Sequence, residues 1–336
     1  MSRKNIACQP FRRHSAAFTI VELLVVIAII GVLVSILLPA VSSVRDSAAR
    51  TQNSNNLRQI GTAVQSYEES KKTYPPLVRL PGGMKQTEEN MKFAVSWAFE
   101  ILPFIEQQNV YDAWNPTVPV DDLNNSIAMA SPIPTYANPR RRDARAIGPF
   151  VQNANGPRGS TLDYAANGGV VMDNSGGPGV MADVARLRNN PSSAKSDNVY
   201  GRRFDPKFSG PFHRQLAVRS ALVKDGLSNT LCVGDRWIGP PVPTSGEVWN
   251  DLTGMAGASF ATTVRFANPD TDSTVGLAFP SNKTDTSIYK FGSVKGDDCC
   301  FSFLDGRVLW IPYDIDPDVF MRLASINDGL PVPPLD

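Results

Sequence analysis

The chain has 336 residues and is nearly neutral, with 33 lysines and arginines against 32 aspartates and glutamates. Neutrality argues against a general nucleic-acid binder, which carries a strong basic excess. Two histidines and four cysteines leave little material for zinc sites, histidine-based catalysis or a disulfide scaffold. Hydrophobic residues make up 42% of the chain, and 25 glycines and 27 prolines indicate many turns, so we expect a globular protein rich in loops.

An apolar segment from Phe18 to Val41 dominates the N-terminus, and its only charge is Glu22. As a helix it would be about 36 Å long, enough to span a hydrocarbon core of about 30 Å. Positive charge precedes it, and none follows until Arg45; the basic residues on the short flank are Arg3, Lys4, Arg12 and Arg13. This asymmetry predicts a cytoplasmic N-terminus and an exported C-terminal part.

Three interpretations compete for this segment. A secretory signal peptide has a shorter apolar region, of about 7–15 residues, although Ala40-Val41-Ser42 imitates its cleavage site. An ordinary membrane anchor fits the length but leaves Glu22 unexplained, because a carboxylate on a lipid-facing helix costs on the order of 2–3 kcal/mol. A third kind of segment, in which a specific cation meets Glu22, accounts for both features.

Residues 12–24 read RRHSAAFTIVELL, which resembles the cleavage and methylation signature of type IV prepilins and type II secretion pseudopilins. The resemblance implies that a prepilin peptidase cuts between Ala17 and Phe18 and methylates the new amine of Phe18. Ala17 stands where the family usually has Gly. Glu22 becomes the fifth mature residue, which pairs with the terminal amine of a neighbouring pilin-like subunit. The implied partners are the peptidase, other subunits and membrane lipid, with no nucleic acid.

Apolar residues continue beyond the membrane segment with a spacing of three to four, which predicts one long helix from Phe18 to about Lys71, kinked near Pro39 and ended by Pro75-Pro76. These residues form a stripe that a globular domain is expected to bury, with a polar gap at 51–56; they are Val41, Val44, Ala48, Leu57, Ile60, Val64 and Tyr67. The expected domains are a cytoplasmic leader (1–17), a transmembrane helix (18–41), its continuation (42–72) and an exported domain (73–336). The expected fold class is α+β, with the helix packed on an antiparallel sheet as in pilins. A fragment starting near Tyr74 is then expected to be soluble.

Three local patterns predict elements in the exported domain. Residues 96–107 have the apolar spacing of a short amphipathic helix, and residues 218–223 and 230–233 look like strands around the turn Asp225-Gly226. Asp305-Gly306 between two apolar runs predicts a two-residue hairpin turn. Counting back from it pairs Phe303 with Val308 and Phe301 with Trp310, all on one buried face.

Four stretches of the chain, at residues 55–61, 102–111, 225–230 and 291–306, together resemble a large bacterial family of pilin-like proteins with a big C-terminal domain of unknown function. The last motif of that family is a His, nine intervening residues and then Asp-Gly, and Lys295 occupies the His position before Asp305-Gly306 here. Any metal-binding or catalytic role of that His therefore does not transfer to this chain.

No cofactor is expected apart from calcium, for which carboxylates offer two candidate sites. Asp314, Asp316 and Asp318 have EF-hand spacing but lack its Gly and Glu, so Asp316 before Pro317 is better interpreted as a helix N-cap. The second candidate places calcium between Asp297, Asp298 and Asp305, against the alternative of a solvated loop.

The remaining candidates favour structural roles. His213 has no visible acid or nucleophile partner, and the arginines at 140–142 and 145 are expected to form a solvated charged loop. Cys299 and Cys300 should point to opposite faces of a strand, and pairing of either with Cys232 stays open. No nucleophile and base pair is visible, so no enzyme is expected.

The sequence therefore predicts a pilin-like subunit of the bacterial inner membrane, processed by prepilin peptidase and assembled into a pilus or a type II secretion pseudopilus. Its large domain would be periplasmic or exposed on a filament. The alternative is a permanently anchored periplasmic module that binds a glycan or solute.

Overall fold

The computed structural model describes residues 20–84, 89–141, 146–150, 153–170, 207, 209–213, 217–238, 255, 263–267, 279–280, 290–293 and 295–335. The chain divides into two compact units, Met1–Ala48 and Ala49–Asp336. The helices are α1 (Ile20–Lys71), α2 (Trp97–Glu100), α3 (Gln108–Asp112), α4 (Ser126–Ala130) and α5 (Pro317–Ala324). The strands are β1 (Val78–Arg79), β2 (Val95–Ser96), β3 (Ala146–Phe150), β4 (Asn153–Ser160), β5 (Tyr164–Val170), β6 (Leu231–Asp235), β7 (Val264–Ala267), β8 (Asp298–Phe303) and β9 (Val308–Pro312).

Helix α1 runs for 52 residues and confirms the long helix, which continues through Pro39. Its apolar residues as far as Val44 are exposed, and burial against the domain begins only at Asn53. Lys72 ends the helix in the left-handed conformation (φ 63°), and its N–H donates to the carbonyl of Glu68 at 2.6 Å. The predicted buried stripe is therefore correct from Leu57 to Tyr67 but wrong for Val41, Val44 and Ala48, which are exposed.

A five-stranded sheet with the order β7-β5-β6-β8-β9 forms the centre of the unit Ala49–Asp336. Its neighbours are antiparallel except for the parallel pair β5 and β7. The C-terminal half of α1 covers one face, where Leu57, Ile60 and Val64 are fully buried. Helix α5 packs against the other face through Phe320 and Leu323. This architecture confirms the α+β class and the packing of the N-terminal helix on a sheet.

The hairpin of β8 and β9 exists, but the predicted register is wrong by one residue. Ser302 pairs with Val308 and Cys300 pairs with Trp310. The turn holds one more residue than expected, because the Phe303 N–H donates to the carbonyl of Arg307 and Gly306 (φ 85°) takes the left-handed position after the turn. Because side chains alternate along a strand, this shift places the aromatic residues on opposite faces.

Phe301 and Trp310 of the hairpin therefore belong to different cores. Trp310 packs on the face covered by α1, whereas Phe301 lies in the second core with Phe279, Phe291 and Phe320. The ring centroids of Phe291 and Phe301 are 4.9 Å apart, and those of Phe301 and Phe320 are 5.6 Å apart, both with edge-to-face geometry. Such pairs add about 0.5–1.5 kcal/mol beyond the area that they bury.

Two other predicted elements differ from the structure. Residues 96–107 do not form one amphipathic helix, since α2 ends at Glu100 and a 3-10 turn (Leu102–Ile105) follows. Pro103 lies inside that turn and cannot donate to a regular helix. Residues 218–223 form a 3-10 turn at Ser220–Leu222 instead of a strand, whereas the strand predicted at 230–233 is β6.

The packing around position 234 on β6 leaves no room for a Cβ atom. We therefore expect Gly234→Ala to lower the free energy of unfolding of the Ala49–Asp336 unit by about 3 kcal/mol. A Cβ atom there would lie 2.3–2.4 Å from the Phe301 ring and 3.1 Å from the Phe291 ring. Urea denaturation measures the effect. The matched control is Gly61→Ala on α1, where the new Cβ would sit 3.4 Å from Ser302 Cβ and helix propensity favours alanine. Equal losses in both variants would contradict the prediction.

Candidate functional site

The N-terminal segment of α1 is the only helix within the described residues that is long and apolar enough to span a membrane, judged by length and composition. Its most apolar stretch makes no buried contact within the structure. Large side chains such as Ile27, Leu33 and Leu38 are more than half exposed. Exposure of this much apolar surface is incompatible with a free helix in water, so the segment needs lipid or other apolar helices around it.

The processing residues divide between the described and the undescribed parts of the chain. Ala17 and Phe18 lie outside the described residues, as does the whole leader. Glu22 lies in the first turn of α1, the end at which the helix dipole favours a negative charge. Nothing in the structure tests the cleavage site or the pairing of Glu22 with another subunit, and both stay predictions.

The second half of α1 carries buried polar side chains in the segment 51–56, where the sequence pattern predicts a polar gap in the buried stripe. Asn53 and Asn56 are 0% and 3% exposed. Both side-chain oxygens of Asp235 accept from Asn53 Nδ2 at 3.0 Å, and the Tyr164 hydroxyl donates to Asn53 Oδ1 at 2.7 Å. Asn56 Nδ2 donates to the carbonyl of Ala137 at 3.0 Å. These bonds fix the rotation of α1 on the sheet.

Asp235 at the end of β6 is the centre of this buried polar cluster. Besides Asn53, its oxygens accept from Asn138 Nδ2 at 3.1 Å and from the backbone N–H of Cys300 at 3.2 Å. Asp163 binds the same loop, because it accepts from the Asn138 N–H at 3.0 Å and lies 3.7 Å from Arg141 Nε. The cluster thus joins α1, β5, β6, β8 and the loop around Asn138.

The pKa of Asp235 is raised to about 7, chiefly because burial removes its carboxylate from water. The N–H donors of Asn53 and Cys300 and the charge of Arg140 oppose this shift, and the nearby Asp163 adds to it. Asp235 is 1% exposed, so solvent and substrates do not reach it. The cluster therefore stabilises the packing of α1 on the sheet. Its carboxylate is not accessible, as a catalytic carboxylate has to be.

A pH-dependent stability follows from the raised pKa of Asp235. In the folded state this carboxyl keeps its proton up to about pH 7, whereas in the unfolded chain it loses it near pH 3.8. Its stabilising contribution is complete below pH 3.8 and is lost as the pH rises to about 7. We expect the wild type to lose about 2–4 kcal/mol relative to Asp235→Asn between pH 4 and 7.5, at roughly 1.4 kcal/mol per pKa unit. Parallel pH profiles in urea unfolding would contradict this expectation.

Another buried carboxylate, away from the Asp235 cluster, lies near the C-terminal end of α1. Glu100 of α2 is 5% exposed and forms a short ion pair with Arg79, while the Tyr67 hydroxyl donates to its other oxygen at 3.4 Å. Burial raises the pKa of Glu100, and the charge of Arg79 opposes that shift. Arg79 also stacks over Trp114, with 4.8 Å between the guanidinium carbon and the ring centroid. These contacts hold the C-terminal end of α1 against β1 and α2.

The predicted calcium ligands are not brought together. Asp298 begins β8 and binds Arg50 Nη2 at 2.6 Å, whereas Asp305 lies in the turn at the far end of the same strand, where it accepts from the Arg307 N–H. Asp297 contributes a backbone carbonyl to Tyr313 at 2.8 Å. In the part of the chain that the structure describes, no group of three or more His, Cys, Asp or Glu side chains is arranged to hold a metal ion.

The predicted solvated arginine loop is wrong for Arg140, whose side chain is 4% exposed. Its guanidinium lies 5.2 Å from the centroid of Trp310 and donates to Ser293 Oγ at 3.3 Å. Arg50 of α1 stacks on the same indole at 3.8 Å. The pattern of adjacent arginines gave no sign of this burial because the partners come from distant segments; residues 142 and 145 lie outside the described residues.

The motif around Asp225 also has a structural role. Both carboxylate oxygens of Asp225 accept backbone N–H groups, from Asp328 at 2.8 Å and from Gly329 at 3.1 Å. Asn229 Nδ2 donates to the Asp225 carbonyl at 3.0 Å and closes the turn. The motif therefore fastens the C-terminal segment after α5. The predicted N-cap is confirmed as well, since Asp316 Oδ1 accepts from the Asp318 N–H at 2.8 Å at the start of α5.

The remaining candidates are three buried cysteines and the half-buried His213. Cys232, Cys299 and Cys300 are free thiols, and Cys299 and Cys300 belong to different cores, as predicted for neighbours on a strand. Burial raises the pKa of all three thiols, which makes them poor nucleophiles. Burial also lowers the pKa of His213, whose backbone carbonyl accepts from the Leu77 N–H. These positions fit structural roles.

Comparison with known proteins assigns both parts of the chain. The family described as "Protein of unknown function (DUF1559)" matches residues 42–318, and the "Prokaryotic N-terminal methylation motif" matches residues 12–38. Neither the search of curated proteins nor the search of solved structures gave a match. Because the first match spans well over half of the chain, the protein belongs to the DUF1559 family and carries the N-terminal methylation motif of pilin-like proteins.

Proposed function

We propose that the protein is a pilin-like structural subunit, inserted in the inner membrane with its N-terminus in the cytoplasm, and that it is not an enzyme. The single observation that carries the proposal is the combination of the methylation motif at residues 12–38 with a helix that is exposed throughout its apolar part and buried along one face of its distal part. A signal peptide would account for an apolar N-terminal segment but not for the methylation motif at residues 12–38.

In this proposal the prepilin peptidase cuts between Ala17 and Phe18 and methylates Phe18. The exposed apolar segment then packs against the same segment of other subunits, and Glu22 pairs with a neighbour's terminal amine. The geometry of the large domain supports a structural role, since the buried polar clusters at Asp235 and Glu100 serve to hold α1. Whether the filament is a pilus or a secretion pseudopilus is decided by the machinery, which the chain itself does not encode.

Mass spectrometry of the N-terminus of protein purified from native membranes tests the proposal. We expect a mature chain that begins with N-methylated Phe18. An intact chain beginning at Met1 would contradict processing, and a cut near Ser42 would identify the segment as a signal peptide. Replacement of Ala17 by Gly is the matched control, because it restores the residue that prepilins usually carry and should leave the cleavage position unchanged.

A further inference from the structure

The short segment that precedes α4 carries an acceptor pattern that the proposed function does not use. Residues 122–126 read Asp-Leu-Asn-Asn-Ser, so that Asn124 and Ser126 have the Asn-x-Ser spacing of an N-glycosylation acceptor. Asn124 lies in a 3-10 turn (Leu123–Asn125) directly before the first residue of α4. Acceptor sites of this kind are found on surface loops of exported proteins, and this turn meets that structural requirement.

Asn124 lies on the exposed side of a turn that the buried side chain of Asn125 holds in place. Asn124 is exposed, whereas the neighbouring Asn125 is 0% exposed and donates to the carbonyls of Asn115 (3.1 Å) and Pro119 (2.9 Å). The two apolar neighbours of the turn are unusually exposed, Leu123 at 76% and Ile127 at 64%. An enzyme therefore meets an accessible amide flanked by two apolar side chains, without having to unfold the core.

The carboxylate of Asp122 lies against the amide. Its Oδ1 accepts from both the backbone N–H and the side-chain Nδ2 of Asn124, each at 2.8 Å. An amide nitrogen is a weak nucleophile because its lone pair is delocalised into the carbonyl. A carboxylate that accepts its N–H increases the electron density on that nitrogen, by the same logic with which an adjacent base activates other weak nucleophiles.

We propose that Asn124 is the acceptor of an N-linked glycan, transferred from a polyprenyl-diphosphate-linked donor by a membrane oligosaccharyl transferase. In the step, Nδ2 of Asn124 forms a bond with the anomeric carbon of the first sugar as the bond from that carbon to the diphosphate oxygen breaks. The proton from Nδ2 passes to a basic group of the transferase, and the polyprenyl diphosphate leaves. Asp122 is a positioning residue for this reaction. The inference rests on export of the large domain, which is part of the proposed function.

A matched non-acceptor lies nearby in the same surface region. Asn115-Pro116-Thr117 has the same outer residues, but the central proline removes a backbone N–H and fixes the backbone, which excludes it as an acceptor. Asn282-Lys283-Thr284 also fits the pattern and lies outside the described residues; it has no acidic residue two positions before its asparagine. The two sites thus separate the effect of Asp122 from that of the three-residue pattern alone.

The experiment is glycopeptide mass spectrometry of the full chain purified from native membranes, with fragmentation that distinguishes Asn115, Asn124 and Asn125. We expect a glycan on Asn124 in the wild type and in Asn115→Gln. Ser126→Ala and Asn124→Gln should each lose the glycopeptide signal at least tenfold. Asp122→Asn keeps the three-residue pattern and should reduce occupancy of Asn124 while leaving Asn282 unchanged.

The same sample reports the N-terminal peptide, so failure of this inference and failure of the proposed function are distinguishable. Methylated Phe18 together with unmodified Asn124 overturns the glycan assignment alone. A glycan on Asn124 in a chain that keeps its leader contradicts processing and supports the acceptor site. A chain with its leader intact and Asn124 unmodified overturns both.

Discussion

Glu22→Gln is expected to be inserted and cleaved like the wild type but to enter filaments several hundredfold less efficiently. In the proposed filament a neighbour's terminal amine would approach this position in surroundings of low dielectric constant, where ion pairing is much stronger than in water. Leaving one charge of such a pair without its partner costs on the order of 3–5 kcal/mol. The substitution keeps the shape of the side chain and removes only the charge.

The measurement for Glu22 is the ratio of sheared filament protein to the membrane pool. Ser35→Ala is the matched control, because it removes a polar group from the same exposed segment, where the Ser35 hydroxyl donates only to the Val32 carbonyl one turn earlier. We expect the ratio to be unchanged in this control. If the Glu22 variant matches the wild type, Glu22 has no assembly role and the chain is better described as an anchored module.

A fragment that keeps the buried half of α1 and a fragment that lacks it are expected to differ in whether they unfold cooperatively. A fragment that begins at Ala49 retains the compact unit and should unfold cooperatively in urea. A fragment that begins at Tyr74 lacks Leu57, Ile60 and Val64, each of them 0% exposed, and loses the bonds of Asn53 to Asp235. We expect it to show no cooperative transition, which revises the soluble domain predicted from the sequence.

Single substitutions on α1 separate core packing from helix length. Leu57→Ala should cost about 2–5 kcal/mol in the Ala49–Asp336 unit, because it leaves a cavity between α1 and the sheet. The adjacent exposed residue gives the control, and Arg58→Ala should change the free energy of unfolding by less than about 0.5 kcal/mol. A cooperative fragment from Tyr74, or a neutral Leu57→Ala, would mean that the helix is an appendage of the domain.

Local signals in the sequence were sufficient for the elements with strong periodicity or capping. The apolar spacing predicted α1, and Asp316 before Pro317 predicted the start of α5. The turn residues Asp305-Gly306 predicted a hairpin but not its register, because a glycine with positive φ fits both the two-residue turn and the longer turn that is present. The one additional turn residue places each β9 side chain on the opposite face of the hairpin, relative to β8, from the face that was predicted.

The buried polar clusters needed information that no local pattern contains. Asn53 and Asn56 interrupt an apolar stripe, which is the usual mark of a solvated turn, and their partners Asp235 and Tyr164 lie more than 100 residues away. The available signal was the spacing of three between the two asparagines, which places them on the buried face of the helix. Arg140 was misassigned for the same reason, since Trp310 and Ser293 are equally distant in sequence.

A pulling force on the apolar end of α1 would be transmitted along the helix backbone to its buried distal half. The helix is continuous from Ile20 to Lys71, so tension travels along its backbone to the residues that form the core. The bonds of Asn53 to Asp235 and of Gln65 to the Leu304 carbonyl at 2.8 Å cross from the helix to the sheet and are loaded together. These bonds and the buried side chains from Leu57 to Tyr67 therefore oppose separation of the distal half of α1 from the sheet.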